Sequence, residues 1–255
     1  MGTPRAQATL EIDGSAVFYE TEGDGDAIVL LHGGMADNST WYAQFSGLSP
    51  HRRVVAPERQ AQGHTPDRPG PLTYEGMADQ TVSLLGALGL GPVDLLGWSD
   101  GGMVGTLIAA EHPELVRTLT VTGSGFSSTG YVPGAMEELV SLAPDDGDMV
   151  MFAAMYARAS PDGPDHFPEV WEKVRALWMS PLTGLRTYSG SRHRPSSSSA
   201  TTTLSAWTTH RSSPARSGTG SWPGSRVHRT SSPWRNRTSS TSWCPISRPT
   251  PFPRR

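Results

Sequence analysis

The sequence has one cysteine, Cys244, so no disulfide framework can form and a reducing compartment is the default. It opens with no apolar segment of signal-peptide type and contains no apolar run of membrane-spanning length. Both absences predict a soluble, cytoplasmic protein without a membrane partner. Acidic residues stop at Glu172. All 24 lie at or before that point together with nine of the 21 basic residues, leaving −15 on residues 1–184. Residues 185–255 carry twelve arginines, no lysine and no acid, a charge of +12. The net charge of −3 therefore hides two stretches of opposite character.

The length of 255 residues suits one large α/β domain, and the first stretch has the pattern for it. Ala8 to Asp13 and Ala16 to Glu22 alternate around Asp13-Gly14, a hairpin signal. Ala27 to Leu31 and Arg53 to Ala56 are continuous apolar runs, as in strands buried on both faces. Trp41 to Phe45 predicts a short helix, and Tyr74 to Leu90 a longer one whose apolar positions share a face and whose C-cap is Gly89. Val93 to Leu96 is a strand, Met103 to Glu111 a helix and Val116 to Val121 another strand. Alternating strands and helices predict a doubly wound, mostly parallel sheet. From Ser124 onward the pattern changes to three amphipathic helices without strands between them: Ala135 to Leu142, Gly147 to Ala159 and Phe167 to Trp178.

The chemistry concentrates at Gly97-Trp98-Ser99-Asp100-Gly101-Gly102. A Gly-x-Ser-x-Gly between a strand and a helix is a nucleophile elbow. The turn is tight enough that Gly97 and Gly101 need almost no side chain, Gly102 lets the helix pack closely on the sheet, and the Ser99 hydroxyl stands at the positive end of that helix.

These six residues, together with His32-Gly33-Gly34, the loop Gly63-His64-Thr65-Pro66-Asp67 and the helix opening Leu72-Thr73-Tyr74, resemble the α/β-hydrolase superfamily. The nearest likeness is to actinobacterial-type serine hydrolases, with some similarity to biphenyl-hydrolase-like esterases. The resemblance covers residues 8–184. It implies an α/β-hydrolase sheet, with residues 1–125 as the core and 126–184 as a helical lid region. It implies Ser99 as nucleophile and an oxyanion hole made by the backbone N–H groups of Asp100 and Gly34. It also implies hydrolysis of a small ester, lactone or amide, with no metal, cofactor or nucleic-acid partner. Serine instead of aspartate at the elbow argues against haloalkane dehalogenases and epoxide hydrolases of the same fold. The alternatives are a cofactor-free haloperoxidase-type enzyme on this fold, or a non-catalytic binding module with a basic tail.

The resemblance also implies an acid and then a histidine after Ser99 in chain order, and there the sequence departs from the family. His193, His210 and His228 stand among Ser, Thr, Arg and Pro with no strand before them. His32 belongs to the oxyanion turn, and His64, on a loop, is the one upstream histidine worth testing as a base. The side chain of Asp100 is expected to point away from the serine. Residues 185–255, with 18 serines, eleven threonines and eight prolines, are expected to form an unstructured tail. The fold then lacks its last strands and helices, with apolar faces and a sheet edge left uncovered.

The genetic code offers an account of that tail. New codons are formed from the third base of each residue's codon and the first two of the next. Ser196 through Thr203 then become compatible with V-V-V-G-D-D-D, a buried strand ending in acids. Trp207-Thr208 permits only aspartate. Gly224 to Thr230 is compatible with V-P-G-T-S-H, a histidine loop, and Trp234 to Cys244 with E-K-P-D-L-V-N-E-L-V, an amphipathic closing helix. The tail therefore reads as a hydrolase C-terminus out of frame, with the slip near Thr183 to Leu185.

Overall fold

The computed structural model describes residues 2–125, 132–180 and 202–205. Strands β1 (Ala6–Ile12) and β2 (Ser15–Glu22) form an antiparallel hairpin with Ile12 opposite Ser15. Asp13 and Gly14, at φ 50° and 74°, make the two-residue turn whose left-handed backbone matches the strand twist. Then follow β3 (Ala27–Leu31), α1 (Tyr42–Leu48), β4 (Arg53–Pro57) and α2 (Tyr74–Ala87). Next come β5 (Val93–Trp98), α3 (Asp100–Glu111) and β6 (Val116–Thr122). Helices α4 (Ala135–Val140), α5 (Gly147–Ala159) and α6 (Phe167–Met179) form a helical segment, and β7 (Thr202–Ser205) is the last described element.

The seven strands run in the order β1-β2-β4-β3-β5-β6-β7. The first two pairings are antiparallel and the remaining four parallel. This is the mostly parallel, doubly wound sheet that the alternating pattern predicts. Helix α2 sits where its ends dictate. Thr73 caps it by accepting the Gly76 N–H, and at the other end the N–H of Leu90 reaches Leu85 O at 2.9 Å and that of Gly89 reaches Gly86 O at 3.0 Å. That bond pair is the Schellman closure, and it turns the chain towards β5.

Because strand side chains alternate, each central strand serves two cores. Val29 and Leu31, Val55, and Val93 and Leu95 pack into the cluster that holds α2 and α3. Leu30, Val54 and Ala56 point the other way, onto Trp41 and Phe45. Helix α6 joins the first cluster: Phe167, Val170, Trp171, Val174 and Leu177 form its one buried stripe. On β5, Asp94 takes hydrogen bonds from Arg117, Arg52 and Thr118. Burial alone raises its carboxyl pKa, but these donors outweigh burial and hold it at about 2.

Strand β7 is a departure from expectation, since residues 185–255 read as an unstructured tail. Its four residues pair in parallel with Leu119 to Thr122 of β6. The outer edge of β6 offers unpaired N–H and C=O groups to any extended chain, and main-chain pairing asks little of the side chains. The edge expected to be bare is thus covered along Leu119 to Thr122. The slip region near Thr183 to Leu185, His193, His210, His228 and Cys244 lie outside the described residues. Among the described residues no helix is long and apolar enough to cross a membrane.

Candidate active site

Strand β5 ends at Trp98 and α3 begins at Asp100, so the single residue Ser99 makes the turn. It does so at φ 51° and ψ −121°, a backbone that non-glycine residues rarely adopt. The surroundings enforce it. The Ser99 N–H donates to Thr122 O at 2.9 Å, and the Ser124 hydroxyl donates to Ser99 O. The three glycines are required by close approach. A Cβ on Gly97 would stand 2.4 Å from Gly101 O, one on Gly101 2.0 Å from Leu31 O, and one on Gly102 2.1 Å from Ser124 Oγ. Ser99 is half-buried at the N-terminus of the twelve-residue α3, where the helix dipole favours negative charge.

The oxyanion turn predicted at His32-Gly33-Gly34 lies against this elbow. A Cβ on Gly34 would stand 2.3 Å from Asp100 Oδ2 and 2.9 Å from the Trp178 ring, so only glycine fits. The structure therefore brings together Gly34 and Asp100, with Ser99 adjacent in the chain. Asp100 is the first residue of α3, so its N–H has no partner within the helix. Its carboxylate accepts from Tyr74 OH at 3.0 Å and Trp178 Nε1 at 2.9 Å. Burial pushes the Asp100 carboxyl above the usual range, against the pull of those donors and of the Arg59 charge. Trp178 comes from the end of α6, so this contact ties that helix to the elbow.

Beneath the turn lies a buried polar cluster. The Arg59 N–H donates to His32 Nε2 at 3.4 Å, which leaves the ring proton on Nδ1, directed at Gly33 O at 2.8 Å. The Arg59 guanidinium reaches Gly33 O at 3.1 Å and Gln62 Oε1 at 3.3 Å. Burial, then the Arg59 charge, drives His32 well below its ordinary pKa, so the ring is neutral. Burial also lowers Arg59 to about 10, which leaves it cationic at neutral pH.

His64 is held elsewhere. Its Nδ1 lies 2.9 Å from Glu58 Oε2 and its ring packs on Phe18 at 4.3 Å between centroids. Glu58 also accepts the backbone N–H groups of His64 and Asn38, at 2.6 Å and 2.9 Å. Burial raises the Glu58 carboxyl and these bonds oppose the rise. The pair braces the loop. Among the described residues no histidine hydrogen-bonds Ser99. Helix α6 has a second tie: Asp67 accepts from Lys173 and from His166 Nε2 at 2.9 Å, and Lys173 lies 3.3 Å from Glu169. Ligand atoms of Asp67, His166 and Glu169 come within 4.8 Å of one another, but the Lys173 ammonium already supplies the cation there.

Glu58, Arg59 and Trp178 are the residues that sequence reasoning missed. The available signal was two charged residues directly after the apolar strand β4, where burial demands partners.

An alpha/beta hydrolase family model matches residues 28–241. The chain belongs to the alpha/beta hydrolase family. That match runs further than residues 8–184, where the motif resemblance ends. Serine hydrolase BPHL of Mus musculus is 34% identical over 129 residues, 48% of this chain and 44% of that protein. The pimeloyl-[acyl-carrier protein] methyl ester esterase of Aliivibrio fischeri is 28% identical over 156 residues, 58% of this chain and 59% of the relative. The chain thus spans less than two thirds of the length of these relatives. Among solved structures, a putative lipase from Acinetobacter baumannii AYE aligns at TM-score 0.60 and 14% identity, over 72% of this chain and 70% of its own. The haloalkane dehalogenase DatA from Agrobacterium tumefaciens C58 aligns at 0.58 and 19%, over 73% and 72%. At those identities the two show that the alpha/beta hydrolase fold is shared.

Proposed function

We propose that this alpha/beta hydrolase is a serine hydrolase acting on a small ester, lactone or amide through an acyl-enzyme on Ser99. The observation that carries this reading is the Ser99 backbone, at φ 51° and ψ −121°, between a strand and a helix whose glycines admit no side chain. Such strain is maintained at functional sites because the surrounding structure over-determines it. The Ser99 hydroxyl attacks the substrate carbonyl, and the carbonyl oxygen becomes an oxyanion. The N–H groups of Gly34 and Asp100 receive that charge, each donor contributing about 3 kcal/mol to the transition state. Collapse expels the alcohol or amine and leaves the acyl group on Oγ, from which water releases it. The relatives named as serine hydrolase and as methyl ester esterase support this chemistry.

Attack requires a base to take the hydroxyl proton. We assign the base and its acid to the segment after residue 184 in its alternative frame, so the chain as translated lacks both. The test compares three proteins on p-nitrophenyl acetate: the chain as written, a version with the one-base slip corrected near Thr183 to Leu185, and the corrected version carrying Ser99→Ala. The first is expected to stay near background, the second to turn over, and the third to lose turnover while keeping its melting temperature. Loss of a triad member reduces the rate by several orders of magnitude. Equal activity in the first two refutes the missing-base assignment, and retained activity in the third places the nucleophile elsewhere.

A further inference from the structure

Gly33 O and the Gly34 N–H belong to one peptide group. That peptide is trans, so its carbonyl and its N–H point in opposite directions. The carbonyl end is surrounded by donors: His32 Nδ1 at 2.8 Å, the Arg59 guanidinium at 3.1 Å and the Ala36 N–H at 3.4 Å. All of these lie on the buried side of the turn, where His32, Gly33 and Arg59 are inaccessible to water, whereas Gly34 is half-exposed. The N–H of Gly34 consequently faces away from the cluster, and no described acceptor takes it. Arg59 is itself unusual, being 1% exposed with Nε and one terminal nitrogen lacking any partner. A buried guanidinium left part-unsatisfied needs a reason beyond packing.

We propose that Arg59 is a positioning residue for the oxyanion donor. Its guanidinium grips Gly33 O, fixes the tilt of the Gly33–Gly34 peptide and withdraws electron density from it. The Gly34 N–H is thereby aimed outward and made a stronger donor. Hydrogen bonds in series polarise one another in this way, most strongly where the dielectric is low. The same positive charge stands behind the site where negative charge develops, with little water between to screen it. His32 supports the arrangement in its neutral form, with one ring nitrogen accepting from the Arg59 backbone and the other donating to the same carbonyl. This inference rests on the proposed role of Gly34 in the oxyanion hole.

The test uses the full chain, isotopically labelled, as wild type, Arg59→Met, Arg59→Lys and Ser99→Ala. The first readout is the Gly34 amide ¹⁵N shift with the one-bond nitrogen–carbon coupling across Gly33–Gly34, which follows polarisation of that peptide. The second, read in the slip-corrected version that carries the assigned base, is affinity for benzeneboronic acid, a tetrahedral mimic formed when Ser99 Oγ bonds to boron and its proton leaves to solvent. Arg59→Met is expected to shift the Gly34 amide upfield and weaken boronate binding several-fold, with Arg59→Lys recovering part of both. An unmoved Gly34 amide in folded Arg59→Met overturns the proposal, and so does unchanged boronate affinity in a chain whose Ser99→Ala variant does not bind. Boronate affinity equal in wild type and Ser99→Ala defeats the reading of Ser99, while the amide shift still decides Arg59. If Arg59→Met does not fold, the wild-type coupling across the hydrogen bond from the Arg59 guanidinium to the Gly33 carbonyl carbon decides, and its absence overturns the proposal.

Discussion

The two faces of the sheet are built unequally. One carries α2 and α3 and the buried stripe of α6 in a single cluster reaching from Ile12 to Leu177. The other, among the described residues, carries α1 and a cluster of five buried side chains, Leu30, Trp41, Phe45, Val54 and Ala56. On that thinner face Leu96 is only half-buried, and its partner on β6, Thr120, is exposed. The residues that shape Ser99 belong to β3, β5, β6 and α3 or directly follow them, and α3 packs in the thicker face, whereas the oxyanion turn is held as well by Arg59, just after β4. What the thinner face lacks is apolar burial, the main favourable term in folding.

The largest effect is expected at the elbow. Gly101→Ala places a methyl 2.0 Å from the Leu31 carbonyl, backbone that cannot move without displacing β3. A loss above about 4 kcal/mol, with no folded protein recovered, is expected. A normally folded Gly101→Ala protein would separate the elbow from the core on which it is placed here.

Next, the two faces can be weighed directly. Leu85→Ala, at a fully buried position of α2, is expected to lower stability in urea by about 2–5 kcal/mol. Leu96→Ala, half-buried on the thinner face, is expected to lower it by clearly less, because solvent already meets part of that side chain. Equal losses would break the comparison.

The attachment of α6 gives the third test. Asp67→Ala leaves Lys173 and His166 without the carboxylate that they share, a change of about 1–2 kcal/mol for a part-buried cluster. Hydrogen exchange is expected to rise across residues 147–179 while β3 and β5 stay protected. Uniform deprotection would mean that α5, α6 and the sheet unfold as one unit.

The smallest effect is acid-dependent. Asp94 has its pKa depressed to about 2, so its contribution is present above the unfolded value near 4 and is lost as pH falls through about 2. With Arg52 and Arg117 partly exposed, about 1–2 kcal/mol is expected to disappear over that window, and Asp94→Asn is expected to flatten it. The same slope in Asp94→Asn would assign the acid lability to other carboxylates.

Most elements were legible from local pattern. The alternation of β1 and β2, the apolar runs of β3 and β4 and the Thr73 and Gly89 ends of α2 each depend on residues a few positions apart. The elbow was legible for the same reason: strand, Gly-x-Ser-x-Gly and helix are contiguous, so sterics alone impose the turn. The candidate base His64 was the opposite case. Nothing in Gly63-His64-Thr65 says that Glu58, six residues earlier, turns back to hold it.

Local sequence thus determined where strands β1 to β6 lie and that Ser99 stands on a strained turn. Tertiary structure decided what surrounds that turn. The grip of Arg59 on Gly33 spans 26 residues, the bond from Trp178 to Asp100 spans 78, and the tie between Lys173 and Asp67 spans 106. The pairing of β7 on the edge of β6 was likewise decided there. Backbone sterics and hydrophobic period act over a few residues and can be read along the chain. A buried charge takes its partner from whatever element packs against it, and that is settled only when the elements dock.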